Sequence, residues 1–166
     1  MCIKTKRLEI RPFQDRDREA MIELLTNEEI KQTFMIPDFK SNQDLENMVL
    51  KLHEYANSKE HYVQGVYLND ELIGFLNDVE IVNGTIEVGY VIHPSQKGKG
   101  YATEMLRGVI ADLFARGYKE VLASAFEHNT ASIRVMEKCG MVKIQRCENA
   151  FYRGKNYNCP YYSISK

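Results

Sequence analysis

The first third of the chain changes from a strand pattern to helix patterns. Apolar and charged residues alternate in IKTKRLEIRPF, residues 3–13, and this alternation predicts a first strand. Residues 15–34 are charged with clustered apolar positions, which predicts one or two short helices. Apolar residues at helical spacing in residues 41–58 predict a longer helix, with Ser41 or Asn42 as its N-cap.

The middle of the chain has the composition of β-structure. Three segments are rich in β-branched and aromatic residues: HYVQGVYL at 61–68, ELIGFLNDVEIV at 71–82 and TIEVGYVIH at 85–93. The dipeptide Asn-Asp separates the first two, and Asn83-Gly84 separates the second from the third. Asn-Gly is a strong hairpin signal because both central residues of a type I′ turn need positive φ. We therefore expect three antiparallel strands.

The last third alternates between helices and strands. A helix with an apolar face from Met105 to Phe114 is expected to end near Gly117, and a second helix is expected from Asn129, its N-cap, to Gly140. Three segments are expected to be strands: EVLASAFE at 120–127, MVKIQRCE at 141–148 and YNCPYYSI at 157–164. The order predicts an α/β fold in which an antiparallel run is followed by a strand-helix-strand crossover.

Length and charge narrow the class of protein. The chain has 166 residues, a usual size for one compact domain, so we expect a single domain over residues 1–166. Its 22 Lys and Arg nearly balance 23 Asp and Glu, which gives no reason to expect a nucleic acid or an anionic membrane as a partner. It has no apolar run of about 20 residues and no signal-peptide pattern at its start, so we expect a cytoplasmic protein. The four cysteines lack C-x-x-C or zinc spacing, so we expect reduced thiols and no metal.

The turn SQKGKG, residues 95–100, stands immediately before a predicted helix. A helix start presents unpaired N–H groups and partial positive charge, and glycines let a ligand come close to those amides. These features suit a phosphate group, and Lys97 and Lys99 would add charge. Tyr101 excludes a Walker A loop, and Thr103 replaces the third glycine of a dinucleotide fingerprint. From the spacing alone, an ordinary strand-to-helix connection is an equally good interpretation.

Longer segments carry a family resemblance. VGYVIHPSQKGKGYATEML, followed by EHNTASIRVMEKCGM, resembles the Gcn5-related N-acetyltransferase (GNAT) superfamily. KTKRLEIRPF near the start resembles its branch of ribosomal-protein N-terminal acetyltransferase-like enzymes. The resemblance implies one mixed, mostly antiparallel sheet of about six to seven strands, with helices on both faces and a splayed strand pair that forms the acetyl-CoA cleft. Gly89, inside a strand pattern, would mark the bulge of that pair.

The resemblance also implies a set of cofactor-binding residues. Backbone amides from Gly98 to Ala102 would hold the diphosphate of coenzyme A, with Lys97 where the family usually has Gln or Arg. Backbone groups near Ile92 and the Asn129 side chain would bind the pantetheine, a role compatible with N-capping. The full set of residues expected to bind the cofactor is Ile92, Lys97, Gly98, Lys99, Gly100, Tyr101, Ala102, Asn129 and Ser132.

The implied reaction is direct transfer of acetyl from acetyl-CoA to a primary amine. Many relatives have a tyrosine acid where this chain has Met136, so that acid is missing. Ser132 would instead hydrogen-bond the leaving sulfur. Glu87 resembles a family position often filled by glutamate and would act as the base, with Asp78 and Glu80 as rivals.

The acceptor is less well defined by the sequence. The lack of an unmistakable base favours an amine of low pKa, such as a peptide α-amine or a small-molecule amine, in a monomer or homodimer. Phe34, Phe39, Tyr152 and Tyr157 are candidates for the mouth of the acceptor site, although core packing explains each equally simply. Two alternatives remain open: a catalytically idle coenzyme A-binding sensor or interaction module, and a nucleotide-phosphate binding protein of another fold.

Overall fold

The computed structural model describes residues 2–166, which form eight strands, five α-helices and two short 3-10 helices at Asp15–Asp17 and Pro94–Gln96. The strands are β1 (Ile3–Lys4), β2 (Leu8–Arg11), β3 (Val63–Leu68), β4 (Glu71–Val82), β5 (Thr85–Ile92), β6 (Glu120–Ser124), β7 (Val142–Tyr152) and β8 (Lys155–Ser165). The helices are α1 (Arg18–Thr26), α2 (Glu28–Lys31), α3 (Asn42–Ala56), α4 (Tyr101–Ala115) and α5 (Thr130–Lys138).

The strands form one sheet in the order β1-β2-β3-β4-β5-β6-β8-β7. The pair β5 and β6 is parallel, and the pairs β1-β2, β2-β3, β3-β4, β6-β8 and β7-β8 are antiparallel. The predicted α/β fold with one mostly antiparallel sheet is confirmed. The strand count is eight rather than six to seven because the first predicted strand folds back on itself. Thr5 donates its N–H to the Leu8 carbonyl at 2.9 Å, and Ile3 pairs with Ile10.

Two-residue turns set the strand boundaries. Asn83 and Gly84 both have positive φ, 51° and 81°, which confirms the predicted hairpin geometry. Arg153 and Gly154 have nearly the same values, 50° and 79°, and they join β7 to β8. Arg-Gly is not a recognised hairpin dipeptide, so β7 runs four residues and β8 two residues further toward the turn than the sequence predicted.

Caps end the helices where the sequence placed them. Ser41, rather than Asn42, is the N-cap of α3, since its hydroxyl accepts a hydrogen bond from the Asp44 N–H at 3.1 Å. Gly117, with φ +100°, follows α4, and the Tyr118 N–H closes that end on the Leu113 carbonyl at 3.2 Å.

The chain divides into two compact units. The first unit runs up to Asn77 and includes Tyr90–Tyr101. Its buried core contains Phe13, Met21, Leu24, Leu25, Ile30, Ile36, Val49, Ala56, Val63, Phe75 and Val91. Phe34 and Phe39 pack against this core, Phe34 edge-on to Phe75 with ring centroids 6.0 Å apart. The packing interpretation of both aromatics therefore has direct support.

The second unit consists of Asp78–Gly89 and Ala102–Lys166. Its buried side chains include Ile86, Val88, Met105, Leu106, Val109, Leu113, Val121, Ala123, Met136 and Tyr162. No helix formed by residues 2–166 combines the length and apolarity needed to cross a membrane. The expectation of a single domain stays a prediction.

Candidate functional site

The loop before α4 has two glycines in the left-handed region. Gly98 has φ +71° and Gly100 has φ +80°, a conformation that L side chains rarely adopt. A Cβ at Gly98 would meet nothing within 4 Å, and residues 97–100 are all exposed. The 15-residue helix α4 begins at the next residue, Tyr101. The loop thus presents backbone amides, open space and a long helix start together, as a phosphate group requires.

Arg7 holds this loop from the turn between β1 and β2. Its Nη1 donates to the Lys99 carbonyl at 2.9 Å, and its guanidinium carbon lies 4.6 Å from the centroid of the Tyr101 ring. A Cβ at Gly100 would come within 3.4 Å of its Nη2. Sequence reasoning missed Arg7 because 92 residues separate it from Lys99 and no local pattern joins them.

The two loop lysines are engaged with neighbouring side chains. Lys97 pairs through Nζ with Glu29 of α2, and Lys99 Nζ donates to Gln96 Oε1 at 3.0 Å. The Lys97 charge therefore faces a carboxylate, and the loop depends on its amides, on the start of α4 and on Arg7 for affinity toward an anion.

Ile92 lies at the end of β5, where that strand is held close to β4. The His93 N–H donates to the Ile73 carbonyl at 2.7 Å. A Cβ at Gly74 would come 2.2 Å from the Val91 carbonyl oxygen, so only glycine fits there. Gly74 is a second residue that sequence reasoning missed, although a glycine in a strand signals a close backbone approach.

Asn129 and Ser132 are brought together at the start of α5 in the second unit. Asn129 Oδ1 accepts a hydrogen bond from the Ser132 backbone N–H at 3.2 Å, which confirms the predicted N-cap. Capping uses the oxygen, and the side-chain amide nitrogen still has donors to offer to a ligand. Ser132 is half-buried, as is Ala102 in the first turn of α4. Met136 is fully buried and, as a thioether, cannot donate a proton.

The strands β5 and β6 pair at only three positions, Thr85–Glu87 against Glu120–Leu122. The ladder stops there, although β6 runs on to Ser124 and β5 to Ile92. Glu87 therefore stands at the last paired position of this ladder.

Glu87 is buried, with 5% of its surface exposed, whereas Glu80 is exposed and Asp78 is half-buried. Desolvation raises the pKa of the Glu87 carboxyl, and the nearby Glu148 and Glu80 carboxylates raise it further. Arg146 and a hydrogen bond from Ser124 Oγ to Glu87 Oε1, at 3.4 Å, oppose this shift in pKa. Of the three candidate bases, only Glu87 is buried, and burial raises the pKa of a carboxyl toward the range that suits a general base.

Sequence reasoning also missed the polar neighbours of Glu87 on β7 and β8. Tyr161 donates its hydroxyl to Glu148 Oε2 at 2.9 Å, and Arg146 donates to Glu148 Oε1 at 2.8 Å. Desolvation, followed by the hydrogen bond to Glu148, raises the pKa of Tyr161 to about 12. These residues lie 59 to 74 positions from Glu87 along the chain, so no motif links them to it.

Tyr152 and Tyr157 belong to a stacked aromatic cluster in the second unit. The Tyr157 ring lies 4.3 Å from the Phe126 ring between centroids, and the Tyr152 ring lies 5.9 Å from it. Both tyrosines are half-buried, so each packs on one side and reaches solvent on the other. Their place at the mouth of an acceptor site stays a prediction.

The four cysteines, all within residues 2–166, are free thiols. In the same part of the chain, no group of three or more His, Cys, Asp or Glu side chains is placed to hold a metal ion.

Comparison with known proteins gives matches along nearly the whole chain. A family model described as an acetyltransferase (GNAT) domain matches residues 7–142. The uncharacterized N-acetyltransferase YoaA of Bacillus subtilis is 28% identical over 170 residues, covering 99% of this chain and 96% of YoaA.

Solved structures give the same result. A GNAT-family acetyltransferase from Bacillus anthracis is 26% identical, with a TM-score of 0.83 over 99% of this chain and 98% of that one. RimL, a ribosomal L7/L12 alpha-N-protein acetyltransferase solved with coenzyme A, has a TM-score of 0.83 at 18% identity, over 99% of this chain and 98% of RimL. The likeness to RimL concerns the fold. The extent of the family match and the agreement of independent relatives lead to one conclusion: the chain belongs to the GNAT acetyltransferase family and is an N-acetyltransferase.

Proposed function

We propose that this enzyme transfers the acetyl group of acetyl-CoA to a primary amine, either the α-amine of a peptide or a small-molecule amine, by direct attack of the amine on the thioester. One observation carries the proposal: two glycines with positive φ open the exposed loop that leads directly into α4. An anionic ligand is the ligand that such a helix start favours. RimL, which shares the fold, has been solved with coenzyme A.

The cofactor-binding roles follow from the donors that each segment offers. The amides of Gly98 to Ala102 would hold the diphosphate, with the Arg7 guanidinium beside them. Backbone groups at Ile92 would pair with the pantetheine, and the Asn129 amide nitrogen would donate to it. Acetyl-CoA supplies an activated acyl group on a thiolate leaving group.

The protein supplies proton transfer and charge stabilisation. Glu87 takes a proton from the acceptor ammonium, so that a neutral amine attacks the acyl carbon. Negative charge that develops on the carbonyl oxygen suits backbone N–H groups of β5 beyond Glu87, where the pairing with β6 has ended. Ser132 donates a hydrogen bond to the departing sulfur. It takes the role of the tyrosine acid that many relatives have at the position of Met136.

The cost of freeing the amine favours an α-amine acceptor. Deprotonating an α-amine with a pKa near 8 costs about 1 kcal/mol at pH 7, whereas a lysine amine with a pKa near 10.4 costs about 4.6 kcal/mol. One buried carboxylate suffices for the smaller cost. The carboxylates at Glu80, Glu87 and Glu148 give this region negative charge, which suits a cationic acceptor.

A panel of amines, assayed by release of coenzyme A thiol from acetyl-CoA, tests the proposal. The panel contains peptides with free N-terminal serine or alanine, the same peptides with a blocked N-terminus and one internal lysine, free amino acids and a polyamine. We expect turnover on free N-termini or small amines of low pKa. Fast acetylation of the internal lysine, with free N-termini left untouched, would contradict the acceptor assignment. Tight binding of coenzyme A without turnover on any amine would contradict the proposed reaction.

A further inference from the structure

Glu87, the base of the proposed reaction, is buried, so the proton that it accepts needs a route to water. Glu87 takes one proton from each protonated acceptor and must return it to water before the next turnover. Only 5% of its surface is exposed, so direct exchange with water is restricted. The side chains around Glu87 offer an indirect route.

We propose that Ser124, Tyr161 and Glu148 form a proton relay that carries the proton from Glu87 to solvent. The inference rests on the proposed function, because it takes Glu87 as the base. It adds three residues on three further strands to the proton transfer of the reaction.

Two hydrogen bonds and one pair of facing residues connect these side chains in the structure. Ser124 Oγ lies 3.4 Å from Glu87 Oε1, and Ser124 stands directly opposite Tyr161 in the ladder between β6 and β8. Facing residues of an antiparallel pair project from the same side of the sheet, which puts the Ser124 hydroxyl beside Tyr161, and this hydroxyl lowers the pKa of the tyrosine. Tyr161 in turn donates to Glu148 Oε2 at 2.9 Å. The chain begins at a buried carboxyl and ends at one whose side chain is 55% exposed.

An irregularity in β7 builds the outer end of this chain. Lys143 pairs with Tyr162 and Cys147 with Pro160, so three residues of β7 lie opposite the single residue Tyr161. This bulge places the Arg146 guanidinium carbon 4.0 Å from the centroid of the Tyr161 ring. Arg146 thereby packs against the face of the Tyr161 ring and also donates a hydrogen bond to Glu148 at 2.8 Å. Arg146 also lines an open cavity of about 480 Å³, and water reaches this end directly because the Glu148 side chain is itself exposed.

The transfer balances without any further reactant. Protonated Glu87 gives its hydrogen to Ser124 Oγ, whose own hydrogen passes to the Tyr161 oxygen. The hydrogen of Tyr161 passes to Glu148 Oε2, which releases it to water. One proton leaves, both hydroxyls keep one hydrogen each, and rotation of the two hydroxyls restores the starting state.

The charges around the chain make the transfer to Glu148 an uphill step, which release of the proton to water at the exposed end completes. Glu87 faces Glu80 on β4, Arg146 and Glu148 on β7, and Tyr161 on β8. Hydrogen bonds from Arg146 and then Tyr161 lower the pKa of Glu148, so this carboxylate does not retain the proton at neutral pH. The pKa of Tyr161, about 12, excludes a stable tyrosinate, so the hydrogens move together.

The test compares Tyr161→Phe with Tyr162→Phe. Both tyrosines are about 95% buried on the same strand, but Tyr162 is outside the chain of oxygens and serves as the matched control. The probes are two amines taken from the panel above, one protonated and one largely neutral at the assay pH. A neutral amine releases no net proton, since its own proton can go to the departing thiolate.

We expect Tyr161→Phe to lower kcat roughly 10- to 100-fold on the protonated amine, and far less on the neutral one, with KM for acetyl-CoA unchanged. Tyr162→Phe should leave both rates near the wild-type values. In a Glu87→Gln background, Tyr161→Phe should have no additional effect, because the relay acts only through Glu87. An equal loss on both amines, or no loss on either, overturns the relay. Wild-type turnover by Glu87→Gln instead refutes the choice of base in the proposed function.

A measurement without acceptor completes the test. Carbon-13 NMR of the Glu87 carboxyl, in protein with labelled glutamate, reports its titration midpoint. We expect that midpoint to move in Ser124→Ala and in Tyr161→Phe and to stay in place in Tyr162→Phe. A midpoint unchanged in the first two variants shows that Glu87 is not connected to Tyr161 and overturns the proposal, whatever acceptor the enzyme uses.

Discussion

Replacing the loop glycines separates backbone strain from loss of the phosphate site. Gly98, Gly100 and Gly154 have nearly the same φ, +71°, +80° and +79°, and a Cβ at Gly98 or Gly154 meets nothing within 4 Å. Alanine in the left-handed region costs about 1–2 kcal/mol at each of these positions. For a chain of this length, that corresponds to a fall in Tm of roughly 2–8 °C. Gly154 lies in the turn between β7 and β8, so Gly154→Ala is the control for strain alone.

The loop variants should lose affinity for coenzyme A in addition to stability. If the strained alanine relaxes to negative φ, at least one amide turns away from the diphosphate, and a hydrogen bond to a charged group contributes about 1.5–3 kcal/mol. The dissociation constant should therefore rise roughly 10- to 100-fold in Gly98→Ala. Gly100→Ala should lose at least as much, because its Cβ also comes within 3.4 Å of the Arg7 guanidinium, which is already bonded to Lys99.

Thermal melts of the ligand-free variants and calorimetric titration with coenzyme A provide the two measurements. We expect all three variants to lose similar stability and only the two loop variants to lose affinity. Affinity within threefold of wild type in Gly98→Ala and Gly100→Ala, alongside a normal loss of stability, would refute the phosphate site. An equal loss of affinity in Gly154→Ala would show a global effect instead.

Three further predictions concern the second unit. Glu87→Gln should abolish most turnover and should stabilise the protein relative to wild type increasingly as pH rises. Because the folded Glu87 carboxyl has the raised pKa, the folded state binds more protons than the unfolded state between the two pKa values of this group. The contribution of Glu87 to stability therefore falls as pH rises across that window. Melts at stepped pH will show whether the difference in Tm between Glu87→Gln and wild type grows there. Asn129→Ala should lose about 1 kcal/mol of stability and should also bind coenzyme A more weakly. Asn129→Asp keeps the oxygen that caps α5, so it should bind coenzyme A more weakly without losing stability. Equal affinity for coenzyme A in both variants and in wild type would remove Asn129 from the cofactor site. Ser132→Ala should lower kcat more than it weakens binding of coenzyme A, and an unchanged kcat in steady-state assays would exclude its role at the sulfur.

The fold could be predicted from the sequence wherever a local pattern determines local structure. Asn83-Gly84 specified a turn because both residues tolerate positive φ. Ser41 and Asn129 could be predicted as N-caps because the side-chain oxygens of Ser and Asn accept hydrogen bonds from the unpaired N–H groups at a helix start. The turn at Arg153-Gly154 escaped prediction, since arginine has no intrinsic preference for that conformation and is held there by the pairing of β7 with β8.

The geometry of the candidate site could be predicted where the site consists of contiguous backbone. The loop Gly98–Gly100 and the residues at the start of α5 follow from glycine spacing and from the family resemblance. The burial of Glu87 did not follow, because it depends on neighbours from β4, β7 and β8 that only the folded sheet brings close. Tyr161 and Arg146 escaped for a related reason: the bulge that brings them together has no sequence signature.

Under the proposed function, the bond from Arg7 to Lys99 makes the amino-terminal hairpin part of the acetyl-CoA site. A strand pair at the margin of a sheet usually tolerates trimming, fusion or exchange with little effect on catalysis. Here such changes should weaken binding of acetyl-CoA while leaving α5 and the surroundings of Glu87 intact. Shortened or tagged forms of the enzyme should therefore show a raised KM for acetyl-CoA, although the change lies 92 residues from Lys99 in the loop that it affects.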